Sequence, residues 1–190
     1  MKAARGLRVA ETNPDLAYAD ERLLDHLFNG WGYNFYRAEN QLRADDLMVR
    51  AKVGEILGAA RAAVASAEAA FRRLHLPPPS RERPRQDSQS LAQARALEAM
   101  AAKLGALEGQ IRALPVPEAD RMTQRLRSER ETLERLLAAD RTMVGAAQSL
   151  GRWAGGDAAD LLAREAEFER KVAALQAALQ DRRGLLQAPA

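Results

Sequence analysis

The sequence predicts an all-α protein: an elongated antiparallel bundle of four to five long helices with a coiled-coil-like C-terminal part. The first observation behind this is composition. Ala, Leu, Arg, Glu and Gln, all strong helix formers, dominate the 190 residues, whereas Val, Ile, Tyr, Phe and Thr are scarce. The second is spacing, because apolar residues recur at alternating three- and four-residue steps through the second half. The third is that the helical runs are separated by short Pro- and Gly-containing breaks, which favour antiparallel neighbours.

Taken in order, a first helix is expected over residues 15–29, with Leu16, Leu23, Leu24, Leu27 and Phe28 on one side. Asn29-Gly30 ends it, since glycine just past a helix adopts the left-handed conformation without penalty. The pattern resumes near Tyr33 and runs to Leu76, where Pro77, Pro78 and Pro79 cannot continue a helix. Its core stripe is Phe35, Leu42, Val49, Val53, Ile56, Ala60, Val64, Ala67, Phe71 and Leu74. A second stripe carries Tyr33, Tyr36, Asn40, Leu47, Ala51, Gly54, Gly58, Ala62 and Ala65. Its small side chains allow close backbone approach, so this face is expected to receive another helix. Between the two run Glu39, Arg43, Asp46 and Arg50, whose i, i+4 pairs read as a solvated edge.

Residues 77–89, PPPSRERPRQDSQ, form a polar connector expected to be extended, with Arg81, Arg83 and Arg85 solvated. Ser90 and Gln93 then suit a capping box for a helix with the seam Leu97, Met100, Leu104, Leu107, Ile111 and Leu114. Pro115 and Pro117 stop that helix. A fourth helix, with Pro117, Glu118 and Asp120 in its first turn, carries Met122, Leu126, Leu133, Leu136, Leu137, Met143 and Val144 to Leu150. Gly151 to Gly156 break it, and Asp157 is placed to cap a fifth. There the seam Leu161, Phe168, Val172, Leu175, Leu179 and Leu186 is interrupted by Glu165 and Arg182, pointing to a partly exposed seam or an inter-helix ion pair.

These elements group into three parts: residues 1–76, an N-terminal helical pair with an aromatic turn; 77–89, the Pro/Arg-rich connector; and 90–190, a heptad-patterned hairpin or three-helix unit. The whole is also compatible with one domain.

The composition narrows the chemistry. With no cysteine, disulfides, thiolate nucleophiles and Cys-ligated metal centres are excluded. His26 and His75 stand in no Glu-x-x-His spacing, so a di-iron carboxylate bundle does not fit, and no metal or other cofactor is expected. No glycine-rich phosphate loop is present, since GWG lacks its third glycine and no GK[ST] occurs. The net charge is only +3 and evenly spread: residues 1–76 hold 11 basic and 10 acidic side chains, residues 91–190 hold 15 and 14. Nucleic-acid binders concentrate positive charge to displace phosphate counterions, so no nucleic-acid partner is expected. A helix-turn-helix reading fails because the first helix is acidic, with Asp15, Asp20, Glu21 and Asp25. The N-terminus has no apolar signal region and no run of apolar residues reaches membrane-spanning length, so the expectation is a cytoplasmic protein without an integral membrane segment.

One stretch departs from this monotony. Residues 27–40, LFNGWGYNFYRAEN, hold five of the nine aromatic residues. Phe35 is explained by the core stripe, while Trp31 lies in the turn and Tyr33 and Tyr36 on the second face. The rings read first as a plug where the chain reverses and heptad packing is unavailable. As a binding site, the cluster would use Trp31, Tyr33 and Tyr36 as walls and Glu39, Asn40 and Arg43 as polar contacts. Trp153, between Gly151 and Gly155, repeats the design and reads as a structural cap.

The expected function is a non-catalytic interaction, adaptor or assembly factor that presents helix surfaces to a protein partner, with a homodimer as one form. The alternative is a small-molecule-binding protein or enzyme using the Trp31/Tyr33/Tyr36 pocket. A weaker alternative is attachment to a membrane or polymer-granule surface by an amphipathic helix, against which the mixed charge of the polar faces argues.

Overall fold

A computed structural model describes residues 38–81, 85–114 and 129–187, with side-chain surroundings described from Asp46 in the first helix and from Arg135 in the third. The described residues form five helices: α1 (Ala38–His75), α2 (Ser88–Arg112), α3 (Glu129–Trp153), α4 (Ala158–Ala163) and α5 (Glu165–Gln187). They pack against one another as a bundle, α1 against α2, α3 and α4, α3 against α5, and α2 against α4. The expected helix over residues 15–29 and its Gly30 stop lie outside the described residues.

One hydrophobic core draws on all the helices. From α1 it takes Val49, Val53, Leu57, Ala60 and Val64; from α2, Leu97, Met100, Leu104, Leu107 and Ile111. Met143, Val144, Ala147 and Leu150 enter from α3, Leu161 from α4, and Phe168, Val172, Leu175 and Leu179 from α5. The heptad seam of α2 is therefore buried in full, down to Leu114 just past its end. On α1 the described part of the expected stripe is buried from Val49 to Val64 apart from the half-buried Ile56; Ala67 and Phe71 are half-buried, and Leu74 is 76% exposed. Leu57, which the stripe omitted, is fully buried.

Contacts along the helices fix their register. Gly54 faces Arg112, Gly58 faces Glu108, Arg61 meets Gly105 and Arg72 pairs with Glu98, so positions ascending α1 meet positions descending α2. Along α1 and α3 the contacts advance together: Asp46 and Asp140 share Arg182, and ten residues on, Ile56 lies against Gly151. The second stripe of α1 is only partly covered. The Glu108 and Arg112 side chains lie over Gly58 and Gly54, while Leu47, Ala51, Ala62 and Ala65 remain exposed.

The helix ends show where local signals held and where they failed. The capping residue of α2 is Asp87, not Ser90: its carboxylate accepts the Ser90 backbone N–H at 2.7 Å, and the helix begins at Ser88. Asp157 caps α4 as expected, accepting the Asp160 N–H at 2.9 Å. The single fifth helix of the sequence reading is divided at Arg164, whose backbone opens to φ −105° and ψ 24°. Its guanidinium folds back to the carbonyls of Asp160 at 3.2 Å and Gly155 at 2.8 Å, and its own carbonyl accepts the Trp153 indole N–H at 3.2 Å. Gly156 provides the φ of +130° that this reversal needs and that side-chain-bearing residues rarely adopt. Trp153 is thus a buried cap, with its ring 4.6 Å from that of Phe168 and the Arg164 guanidinium 5.9 Å from its centroid.

Candidate functional site

Asp46 and Arg50 stand one turn apart on α1, and the sequence pattern assigned both to a solvated edge. They are instead buried, at 2% and 8% exposure. The reason is tertiary: α3 and α5 pack at this end of α1 and bring Asp140 and Arg182 to the same spot. Arg182, fully buried, donates from Nε to Asp140 Oδ1 at 2.8 Å and from Nη2 to Asp46 Oδ1. Arg50 Nη1 donates to the Leu114 carbonyl beyond the last turn of α2 at 2.8 Å, and its Nη2 lies 2.9 Å from Asp46 Oδ2. One cluster of two carboxylates and two guanidiniums therefore ties together α1, α3, α5 and the end of α2.

Its electrostatics are dominated by burial. Removal from water pushes the Asp140 carboxyl up from 3.8 to about 7, against the pull of the Arg50 charge. The same desolvation holds the Arg50 and Arg182 guanidiniums below their usual value. Among the described residues, Asp46 Oδ2, Arg50 Nε and Nη2 and Arg182 Nη1 have no hydrogen-bond partner. The Asp46 Oδ2 to Arg50 Nη2 approach is thus a charge contact without hydrogen-bond alignment.

A second buried polar pair joins α3 to α5: Lys171 Nζ donates to Ser149 Oγ at 2.6 Å and lies 3.3 Å from Glu167. A lysine amine beside a hydroxyl is one arrangement that activates a serine nucleophile, the neutral amine taking the hydroxyl proton. Here Ser149 is 4% exposed within α3, where backbone N–H groups are committed to the helix and supply no oxyanion donors. The pair satisfies two buried polar groups at a helix contact. Among the described residues no group of three or more His, Cys, Asp or Glu side chains is placed to hold a metal ion.

Of the site proposed from sequence, Trp31, Tyr33 and Tyr36 lie outside the described residues. Glu39, Asn40 and Arg43 fall in the first turns of α1, and their side chains lie outside the described part. The buried cluster left a sequence signal of its own. Asp140 interrupts the α3 seam between Leu137 and Met143 just as Arg182 interrupts the α5 seam between Leu179 and Leu186. Two opposite charges in two seams indicate an inter-helix pair, and Arg182 makes the ion pair that its position suggested; Glu165, the other intrusion, is exposed.

No family model matches the chain, and no curated protein or solved structure matches it.

Proposed function

We propose that the chain is a non-catalytic, cytoplasmic interaction or assembly protein, an elongated antiparallel bundle with a coiled-coil-like C-terminal part. It acts by pairing with a second copy of itself through the exposed parts of the second face of α1. The observation that carries this reading is on that helix. Leu47 and Met48 are 53% and 43% exposed, and Ala51, Ala62 and Ala65 continue the exposed face, while Val49, Val53 and Val64 on the opposite side are buried. With its core side filled, this helix leaves the apolar and small residues on either side of the Glu108- and Arg112-covered Gly58 and Gly54 open to another helix.

The reversed register of α1 on α2 supports the antiparallel arrangement, and the buried seams of α2 and α5 support the coiled-coil likeness. The shared core favours one folded unit over the separate 1–76 and 90–190 parts. Within the described residues, no helix is long and apolar enough to cross a membrane.

Sedimentation velocity tests the reading on the full chain, from low-micromolar to sub-millimolar concentration, beside an Ala62→Glu, Ala65→Glu variant. These positions are exposed, so the variant should retain its helical circular dichroism. The expected result is a concentration-dependent dimer for the wild type that the variant loses. A wild type that stays monomeric throughout, or a variant that dimerises equally, overturns the proposal.

A further inference from the structure

The outward side of α1 is unlike that of an ordinary water-facing helix. Ala59, Ala62, Ala63, Ala65, Ser66 and Ala70 are all exposed there, and the one charged residue among them, Arg61, lies over Gly105 of α2. By contrast α5 exposes Glu165, Glu169, Arg170 and Asp181. At about 100° per residue, one outward stripe of α1 runs in steps of three or four from Glu55 through Ala59, Ala62, Ser66 and Ala69 to Arg73. It lies directly opposite the buried Val53, Ala60 and Val64.

The stripe carries opposite charges at its two ends. Glu55 is 67% exposed, its carboxylate 3.0 Å from Lys52 on the same helix, a surface pair of the kind that holds its partners weakly. Arg73 is exposed and makes no ion pair among the described residues. The two stand about five turns and about 27 Å apart, and so leave the helix on the same side. A surface with an acid at one end, a base at the other and small neutral residues between them complements a second copy of itself laid in the opposite direction. A copy laid in the same direction would set acid on acid and base on base.

We propose that two copies of the chain pair α1 against α1, antiparallel about a two-fold axis between Ala62 and Ser66, with Glu55 of each copy facing the partner's Arg73. The pairing rests on the self-association proposed above and gives it an orientation and a register. In a two-fold contact every pairing occurs twice, so both ends of the stripe are matched at once. The same register sets Ala62 against the partner's Ser66 and Ala59 against the partner's Ala69. Every layer between the two ion pairs is therefore small, which lets the two backbones approach closely. The charges sit at the ends of the contact, where they choose direction and register more than they add affinity.

The test is sedimentation velocity on the full chain at low ionic strength, comparing wild type with Glu55→Arg, Arg73→Glu and the two combined. Both positions are exposed, so helical circular dichroism should be retained throughout. Reversing either charge turns both symmetry-related attractions into repulsions, so the dimer Kd is expected to rise at least about tenfold, and the combined variant to return to within about threefold of wild type. A dimer of equal Kd in all four proteins, or a combined variant no tighter than the single ones, overturns the register while self-association stands. A wild type that stays monomeric overturns self-association itself, and the register with it. A second measurement is independent of charge: the chain has no cysteine, so Ala62→Cys and Ser66→Cys each place a single thiol on the stripe. With oxidised glutathione, a mixture of the two variants is expected to form more disulfide-linked dimer than either variant alone. Linkage that is stronger within each variant than between them marks a parallel pairing and refutes the proposal.

Discussion

Arg182 donates from Nε to Asp140 at 2.8 Å, joining α5 to α3 inside the bundle, and its other arm reaches Asp46 on α1. Removing Arg182 leaves two buried carboxylates to share the single Arg50 guanidinium and takes away the donor that Asp140 bonds. Arg182→Ala is therefore expected to destabilise the fold by about 3–5 kcal/mol in urea unfolding. Removing Asp140 as well, in Asp140→Leu, Arg182→Met, leaves Asp46 paired with Arg50 and is expected to restore most of that loss. A single variant within about 1 kcal/mol of wild type would show that Arg182 is not held by these carboxylates.

Global stability should also depend on pH through Asp140. An acid whose folded value lies above its unfolded value binds more protons when folded, so stability falls as pH rises. For Asp140 the window runs from 3.8 to about 7. With the shift taken in full, the loss across it is at most about 4 kcal/mol. Asp87 acts in the opposite sense and lower down: its acceptance of the Ser90 N–H holds its carboxyl below 3.8, a contribution present above 3.8 and lost as pH falls through the lowered value. Urea midpoints measured from mildly acidic to mildly alkaline pH should decline in wild type and stay level in Asp140→Asn.

How much of this was legible in the sequence differs from element to element for physical reasons. The α2 seam from Leu97 to Ile111 could be read because heptad spacing and burial are the same statement when a helix packs along its length. Asp46 and Arg50 were visible as an i, i+4 pair, but their burial depends on Asp140 of α3 and Arg182 of α5, 94 and 136 residues beyond Asp46, arriving at the same spot. The break at Arg164 was equally hidden, since Arg is a good helix former and the opening comes from Trp153 and Gly155 drawing on its carbonyl and guanidinium. The aromatic stretch centred on Trp31 lies outside the described residues, so the site inferred there rests on sequence alone.

Trp153 ties α3 to the start of α5, and its parts can be separated. Trp153→Phe keeps a ring against Phe168 but removes the N–H donated to the Arg164 carbonyl, which still accepts the Phe168 N–H at 3.0 Å. The expected loss is about 1–2 kcal/mol, whereas Trp153→Ala opens a cavity and should lose about 3–5 kcal/mol. Thermal unfolding should place the Phe variant between wild type and the Ala variant. Equal losses would mean that the indole N–H, not the ring, dominates.

The cap assignment at α2 gives a sharper contrast. Asp87 accepts the Ser90 backbone N–H, so Asp87→Ala is expected to cost about 1 kcal/mol, within the usual range for losing an N-cap. Ser90→Ala keeps the backbone N–H bond and removes only the hydroxyl's additional contact with the Asp87 carboxylate, so it should cost less than Asp87→Ala and fall within about 0.5 kcal/mol of wild type. Reversal of this order in urea unfolding would return the cap to Ser90.

Two glycines inside helices test the packing from the other side. At Gly109, on α2, an added Cβ meets nothing within 4 Å, so Gly109→Ala should gain about 0.5–1 kcal/mol from the reduced backbone freedom of the unfolded chain. At Gly151, on α3, an added Cβ would lie 3.1 Å from the Ile56 methyl of α1, tight enough to require that side chain to shift. The same propensity gain is there opposed by overpacking, so Gly151→Ala should gain less than Gly109→Ala, and Gly151→Val should destabilise by about 1–3 kcal/mol. Equal stabilisation by alanine at both positions in urea unfolding would show that α3 and α1 have room to separate at this point. The close approach at Gly151 would then not be what sets their spacing.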